Sequence, residues 1–298
     1  RWWRTLPNYY LFVLINFIGF SVLKADFSFD WRYLFFLQNL TSPNEGFFSV
    51  SWSLTVEEWF YLSVPLVFLI AYRLTKSKAV AIWSTFIVII GVSLFGRYYY
   101  IANFEATWGD EMRRVALLRL DSLIYGVAAA WLWLNNREFL EKYKISLFLT
   151  GACLLGLGVA IRNNPEVNQQ TWMLLLLFPV ISLGISCWLP LLSSWSFRGG
   201  RVRMLETWVS NISLWSYSLY LVHVPAMEGF RIFMLPKIVD SPILQILTFV
   251  TWTAFSVFSS FLIYRFFEKP CTDLRDGAPD AGWIKSIVGR RNQVRTDK

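Results

Sequence analysis

Eight runs of this chain are long and apolar enough to cross a bilayer, and nothing else in the sequence constrains the fold so tightly. They cover roughly residues 6–23, 52–72, 79–101, 115–134, 145–161, 171–192, 208–230 and 243–264. A membrane helix needs about 20 mainly apolar residues. In hydrocarbon every backbone N–H and C=O must be satisfied within the protein, which leaves helices or closed barrels. The expected fold class is therefore all-α, a polytopic transmembrane helical bundle with about eight spans in this chain. Composition agrees: 55% of the 298 residues are apolar, 16% are charged, and the mean hydropathy is +0.44. Soluble domains hold about 45–50% apolar and about 25% charged residues. The run DWRYLFFLQNL, residues 30–40, is too short to span and is expected to be re-entrant or interfacial.

Basic residues orient the bundle. The segments 1–5, 73–78, 135–144, 193–207 and 265–298 hold 19 Lys and Arg, against 6 in the alternate segments 24–51, 102–114, 162–170 and 236–242. The positive-inside rule puts the first set, and the C-terminus, in the cytoplasm. The net charge of +8 then speaks for cytoplasmic loops and anionic lipid, and no nucleic-acid partner is expected. Three cysteines with no CxxC or Cys/His spacing indicate neither a disulfide framework nor a metal site. The chain opens at Arg1 without a methionine, so it is expected to be a fragment whose N-terminal part is missing.

Ionisable residues inside the runs single out a candidate site. Counted at 1.5 Å per residue, Glu57 and Glu58 lie about 8–9 Å below the outer surface, Arg119 and Asp121 about 6–9 Å, Arg97 about 6 Å and His223 about 10 Å. A charge at mid-membrane costs on the order of 3 kcal/mol or more, so convergence on one hydrated cavity is expected. Glu, Asp, Arg and His together suit proton transfer and oxyanion stabilisation. Each has a plainer reading. Thr55-Val56-Glu57-Glu58 fits a capping box, with the helix starting near Thr55. Arg119 and Asp121 fit interhelical ion pairs, Arg97 can snorkel to the outer interface, and His223 can hydrogen-bond a neighbouring helix. Pro225 removes a backbone donor and frees the Leu221 carbonyl near His223, which favours a cavity wall.

Three stretches carry a resemblance. SWSLTVEEWFYLSVPL (51–66) resembles the Ser-Trp-Ser-Leu-x-x-Glu-Glu-x-Phe-Tyr signature of the acyltransferase 3 family, membrane O-acyltransferases of surface glycans and related acceptors. ISLWSYSLYLVHVP (212–225) is similar to the family's Ser-Tyr-x-Leu-Tyr-x-x-His-x-Pro segment, and RWWRTLPNYY (1–10) to its Arg-x-x-Arg-x-x-Pro-x-Tyr stretch. LLRLDSLIYGVAAA (117–130) and YRFFEKP (264–270) are weaker matches in the family's order.

The resemblance implies a bundle of about ten helices, two of them before Arg1, with a catalytic histidine on the first of these and an arginine upstream of it. This sequence holds neither, so activity of the fragment alone is in question. A transmembrane domain over 1–270 and a basic cytoplasmic tail over 271–298 are expected. The resemblance also implies an acyl group, acetyl in the first instance, passed from cytoplasmic acyl-CoA to a hydroxyl of a glycan or lipid-linked sugar. No bound cofactor is expected; acyl-CoA is the donor substrate. The expected location is a bacterial inner membrane, in contact with its lipid. Glu57, Glu58, Arg119, Asp121 and His223 become catalytic candidates. Arg1 and Arg4 become binders of CoA phosphates, and Trp52, Tyr61, Ser218 and Tyr220 substrate-binding candidates. A transporter or flippase for a lipid-linked sugar is an alternative, although the sequence shows no inverted repeat or paired broken helices. A non-catalytic relative is another.

Overall fold

The computed structural model describes residues 2–24, 26–43, 46–104, 111–164, 170–194, 200–234 and 242–277. Arg1 and the tail beyond residue 277 lie outside the described residues. Nine helices and no strand are found among them: α1 (Trp2–Leu23), α2 (Ser51–Thr75), α3 (Lys78–Asn103), α4 (Asp121–Asn135), α5 (Arg137–Asn163), α6 (Thr171–Ser193), α7 (Gly200–Met234), α8 (Pro242–Ile263) and α9 (Lys269–Gly277). A π-helical turn, Tyr264–Glu268, joins α8 to α9. Among the described residues six helices are long and apolar enough to cross a membrane: α1, α2, α3, α5, α6 and the run from α8 into α9. This is an all-α integral membrane protein.

Two expected spans fall outside that set. The fourth starts at Asp121, not at 115, because Ala116–Leu118 form a 3-10 turn. Its 15 residues reach only about 22 Å, short of the roughly 30 Å hydrocarbon. The seventh, α7, has 35 residues. Its uncharged stretch 207–227 carries four serines, Asn211 and His223, which depress its hydropathy. Beyond residue 264 the expected end of the last span is not a break, since helix continues through the π turn to Gly277.

The chain divides into two compact units. One holds α1 with α7, α8 and α9; the other holds the segment from Asp30 and helices α2–α6. In the first unit, the Trp3 indole donates to the Cys271 carbonyl and ties α1 to α9. In the second, Phe60, Phe86, Ile89, Leu120 and Ile124 pack α2, α3 and α4 together. Met112, Val115 and Leu118 pack on Met173, Leu174, Leu177 and Phe178 of α6. Large apolar residues on the outer faces stay uncovered, among them Ile87 and Phe95 of α3, as a lipid-facing surface requires.

Residues 30–43 and 46–50 make a folded plug in place of a span. Asp30 caps the 3-10 turn Trp31–Phe35 by accepting from Arg32 N–H, and Phe36 turns left-handed at φ 55°. The freed Phe36 carbonyl accepts from the Trp59 indole at 2.8 Å. Asn39 and Leu40 carbonyls accept from Ala116 and Leu117 N–H at 2.8 and 3.2 Å. Irregular backbone at membrane depth persists only when protein supplies such partners.

Helices α5 and α6 approach closely at glycines. A Cβ on Gly151 would stand 2.5 Å from the Gly184 carbonyl oxygen and 2.7 Å from the Trp188 ring. Small residues at such crossings are the usual device of membrane helix pairs. Gly151→Ala is expected to cost about 1–3 kcal/mol by overpacking. Gly156→Ala, whose Cβ meets nothing within 4 Å, is expected to be neutral or mildly stabilising through helix propensity. Thermal unfolding of both variants in detergent checks the contrast; equal melting temperatures would remove the close approach from the account.

Candidate functional site

The unit holding α2–α6 contains the Glu-Glu signature and the charges that face it in sequence order. Helix α2 begins at Ser51, where the Ser51 hydroxyl donates back to the Phe48 carbonyl at 2.7 Å. Thr55 therefore lies inside the helix and is no N-cap, which overturns the capping-box reading of Thr55 and Glu58. Instead Gln38 Nε2 donates to Ser51 Oγ at 3.2 Å and to Thr55 Oγ1 at 2.8 Å. Asn39 Nδ2 donates to the Trp52 carbonyl at 3.1 Å and to the Arg114 carbonyl at 2.6 Å. The plug thus fixes the first turn of α2 to the segment before α4.

Both glutamates are half-buried, and the helix separates them. Residues seven apart nearly superimpose on an α-helix. Glu58 hence shares the face of Ser51, which is turned towards Gln38. Glu57 has buried Leu54 and Phe60 three residues to either side and exposed Tyr61 four residues on. Tyr61 packs edge-on against Phe60.

The fixed charge of this unit is an ion pair that sequence alone did not match up. Arg97 and Asp121 are both fully buried. Arg97 Nη1 and Nη2 reach the two carboxylate oxygens at 3.1 and 2.6 Å, and Nη1 also donates to the Leu118 carbonyl at 2.8 Å. Ser93 Oγ accepts the Asp121 backbone N–H at 3.1 Å. Arg97 does not snorkel: its side chain runs inward to Asp121. The expectation of an ion pair at Asp121 holds, with Arg97 as its partner. Arg119, the neighbour in the motif, takes a different place. Its Nε donates to Ser122 Oγ at 2.9 Å, and its guanidinium lies 3.9 Å from the Phe178 ring centre and 5.9 Å from that of Trp52. Arg113 approaches the same Trp52 ring at 5.6 Å.

The other unit holds His223, Arg4, Ser218 and Tyr220. His223 Nδ1 lies 2.6 Å from the Tyr220 carbonyl oxygen, and the two rings are 5.6 Å apart. A carbonyl only accepts, so Nδ1 carries a proton in this contact, and in the neutral form of the ring the lone pair is on Nε2. Two residues before Pro225 the backbone is braced by α8, whose Trp252 indole donates to the His223 carbonyl at 3.1 Å.

Ser218 is fully buried and engaged. It donates to Glu268 Oε2 at 2.5 Å and accepts from Asn8 Nδ2 at 3.0 Å, while Asn8 Nδ2 also reaches Glu268 Oε2 at 2.9 Å. The π turn presents Glu268 to this cluster. Arg4 is exposed one helical turn before Asn8, and its charge acts on Glu268. Neither Asn8 nor Glu268 was singled out from sequence, though both lie in stretches that carry the resemblance.

The profile of a family described as an acyltransferase domain matches residues 1–265. No curated protein and no solved structure matches the chain.

The buried pair sets a stability test. Asp121→Asn leaves Arg97 charged without a counter-ion and is expected to cost about 3–5 kcal/mol. Replacing both residues by Met and Leu should recover much of that loss, because neither charge then remains to be solvated. Thermal unfolding in detergent reads both; a single variant as stable as wild type would mean that the pair does not hold α3 to α4.

Proposed function

Because the chain belongs to the acyltransferase 3 family, we propose that it moves an acyl group, acetyl in the simplest case, from cytoplasmic acyl-CoA to a hydroxyl of a surface glycan or lipid-linked sugar. The protein sits in a bacterial inner membrane with its C-terminus in the cytoplasm, as the 19-to-6 distribution of basic residues supports.

The observation that carries the reading is the tautomer of His223. Its Nδ1–H is committed to the Tyr220 carbonyl, which leaves Nε2 as a proton acceptor in a stretch of α7, 207–227, with no carboxylate, lysine or arginine. A hydroxyl attacks a thioester well only as its proton departs. In the proposed step the acceptor oxygen bonds to the thioester carbonyl carbon and the carbon–sulfur bond breaks. The hydroxyl proton passes to a histidine nitrogen and then to the CoA thiolate, giving ester and free CoA with the imidazole neutral again. His223 is the histidine this chain supplies; the resemblance implies another upstream.

Glu58 is our choice between the two signature glutamates, because it lies three residues after Thr55 and seven after Ser51, the two hydroxyls that Gln38 holds. It acts as a carboxylate that steadies an imidazolium or receives the acceptor proton. Arg4, exposed at the start of α1, takes a CoA phosphate, a role that suits a guanidinium fork.

The test uses the full-length protein, with acyl-CoA supplied on one side of a vesicle and acylated glycan followed on the other. Glu58→Gln and His223→Gln are each expected to lower kcat by about 10²-fold or more, and Glu57→Gln by less. Wild-type turnover in properly inserted Glu58→Gln and Glu57→Gln variants would make both glutamates structural. Arg4→Ala is expected to raise the KM for acyl-CoA with kcat little changed; unchanged CoA kinetics would leave Arg4 as a topology determinant.

A further inference from the structure

Arg119 is a cation whose obvious counter-ion is already taken. Asp121, two residues away, has both carboxylate oxygens filled by the fork of Arg97, and all of that pair is buried. Asp121 still attracts Arg119 through space without a direct contact, and Arg97 and Arg113 oppose that attraction as like charges. Ser122 holds Nε, and the guanidinium lies face-on against Phe178 with Trp52 beside it. Among the described residues no carboxylate pairs with Arg119, and neither Nη makes a hydrogen bond. A guanidinium stacked on a ring keeps its edge donors in its own plane, parallel to the ring, where they can take two oxygens of one anion. Arg113 meets the same Trp52 ring at 5.6 Å.

We propose that Arg119, seated on Phe178 and flanked by Trp52, is an anion-binding group of the acceptor site, and that the acceptor carries a carboxylate or phosphate near the hydroxyl that is acylated. This rests on the acyltransferase reading for the word acceptor; the anion site itself does not. Arg119 is then a binding residue that fixes which hydroxyl is presented. Its segment precedes α4 on the side opposite the basic loops, away from the side on which acyl-CoA is supplied.

The experiment reads arginine modification in the wild-type full-length protein in nanodiscs. Phenylglyoxal labelling of Arg119 is followed by mass spectrometry with glucuronate, inorganic phosphate, glucose or CoA present, and exposed Arg137 serves as the internal control. Glucuronate or phosphate should slow labelling of Arg119 several-fold, glucose and CoA should not, and Arg137 should be unaffected. Labelling of Arg119 at the same rate under all conditions overturns the proposal. Protection by CoA overturns its assignment to the acceptor and moves the site to the donor.

A second arm compares acetyl transfer to methyl glucuronide and methyl glucoside. Arg119→Gln should abolish a preference for the glucuronide, raising its KM by about tenfold or more relative to that for the glucoside. An unchanged ratio overturns the proposal. Protection of Arg119 without any acyl transfer would keep the anion site and sink the acyltransferase reading, so the two can fail separately.

Discussion

The contact between Arg97 and Asp121 is the interaction on which the polar part of the larger unit depends. A guanidinium and a carboxylate, both removed from solvent, are tolerable only if nearly all their hydrogen-bonding capacity is met. That demand shapes the backbone around them. Asp121 opens α4, where the unpaired N–H groups of a helix N-terminus favour a negative charge. The 3-10 turn before it brings the Leu118 carbonyl to Arg97 and the Leu117 carbonyl to Ser93. One pair therefore fixes where α4 begins, how α3 meets it, and why the turn between them is tight. It also leaves Arg119 with Ser122 and two aromatic rings in place of a carboxylate.

Around that pair the plug supplies what irregular backbone needs. Asn39 spends its amide on two carbonyls, those of Trp52 and Arg114, and so bridges the start of α2 to the approach of α4. Gln38 does the same for two hydroxyls on α2. These neutral amides place the first turns of two helices without adding charge to the membrane. The rings of Trp52 and Phe178 can then be held where arginines meet them.

Much of this was legible in the sequence. Hydropathy gave α2, α3 and α6 to within a few residues, because long apolar runs bounded by Lys, Ser and Gly leave little choice. Depth along each helix put Arg97, Arg119 and Asp121 at one level. What depth cannot give is azimuth: it does not say whether Arg97 turns inward or out, and the pairing followed from that angle. The run VALLRLDSL reads as continuous helix because its 3-10 turn is set by the Arg97 contact, not by a local breaker. The Thr55–Glu58 pattern is a valid cap in isolation and failed because Ser51, tied to Phe48, had already begun the helix. Asn8 and Glu268 lie 260 residues apart, and no periodicity links them. Only the packing of α1 and α7 against the π turn makes them neighbours of Ser218.

That π turn acts as a gear. An α-helix advances 100° per residue, and one residue extra in a turn shifts the phase of everything after it by about that much. Tyr264–Glu268 therefore decouples two faces that would otherwise be one: the apolar stripe that α8 shows to lipid is not continued by α9. Lys269 and Asp273 pair on an exposed side, while Glu268, one residue earlier and about 100° round the helix, stays buried with Ser218 and Asn8. Unwinding the wide turn into regular helix would exchange these faces, rolling the carboxylate away from its partners. The chain thus holds, within five residues, a place where a small rotation changes which charges meet the membrane.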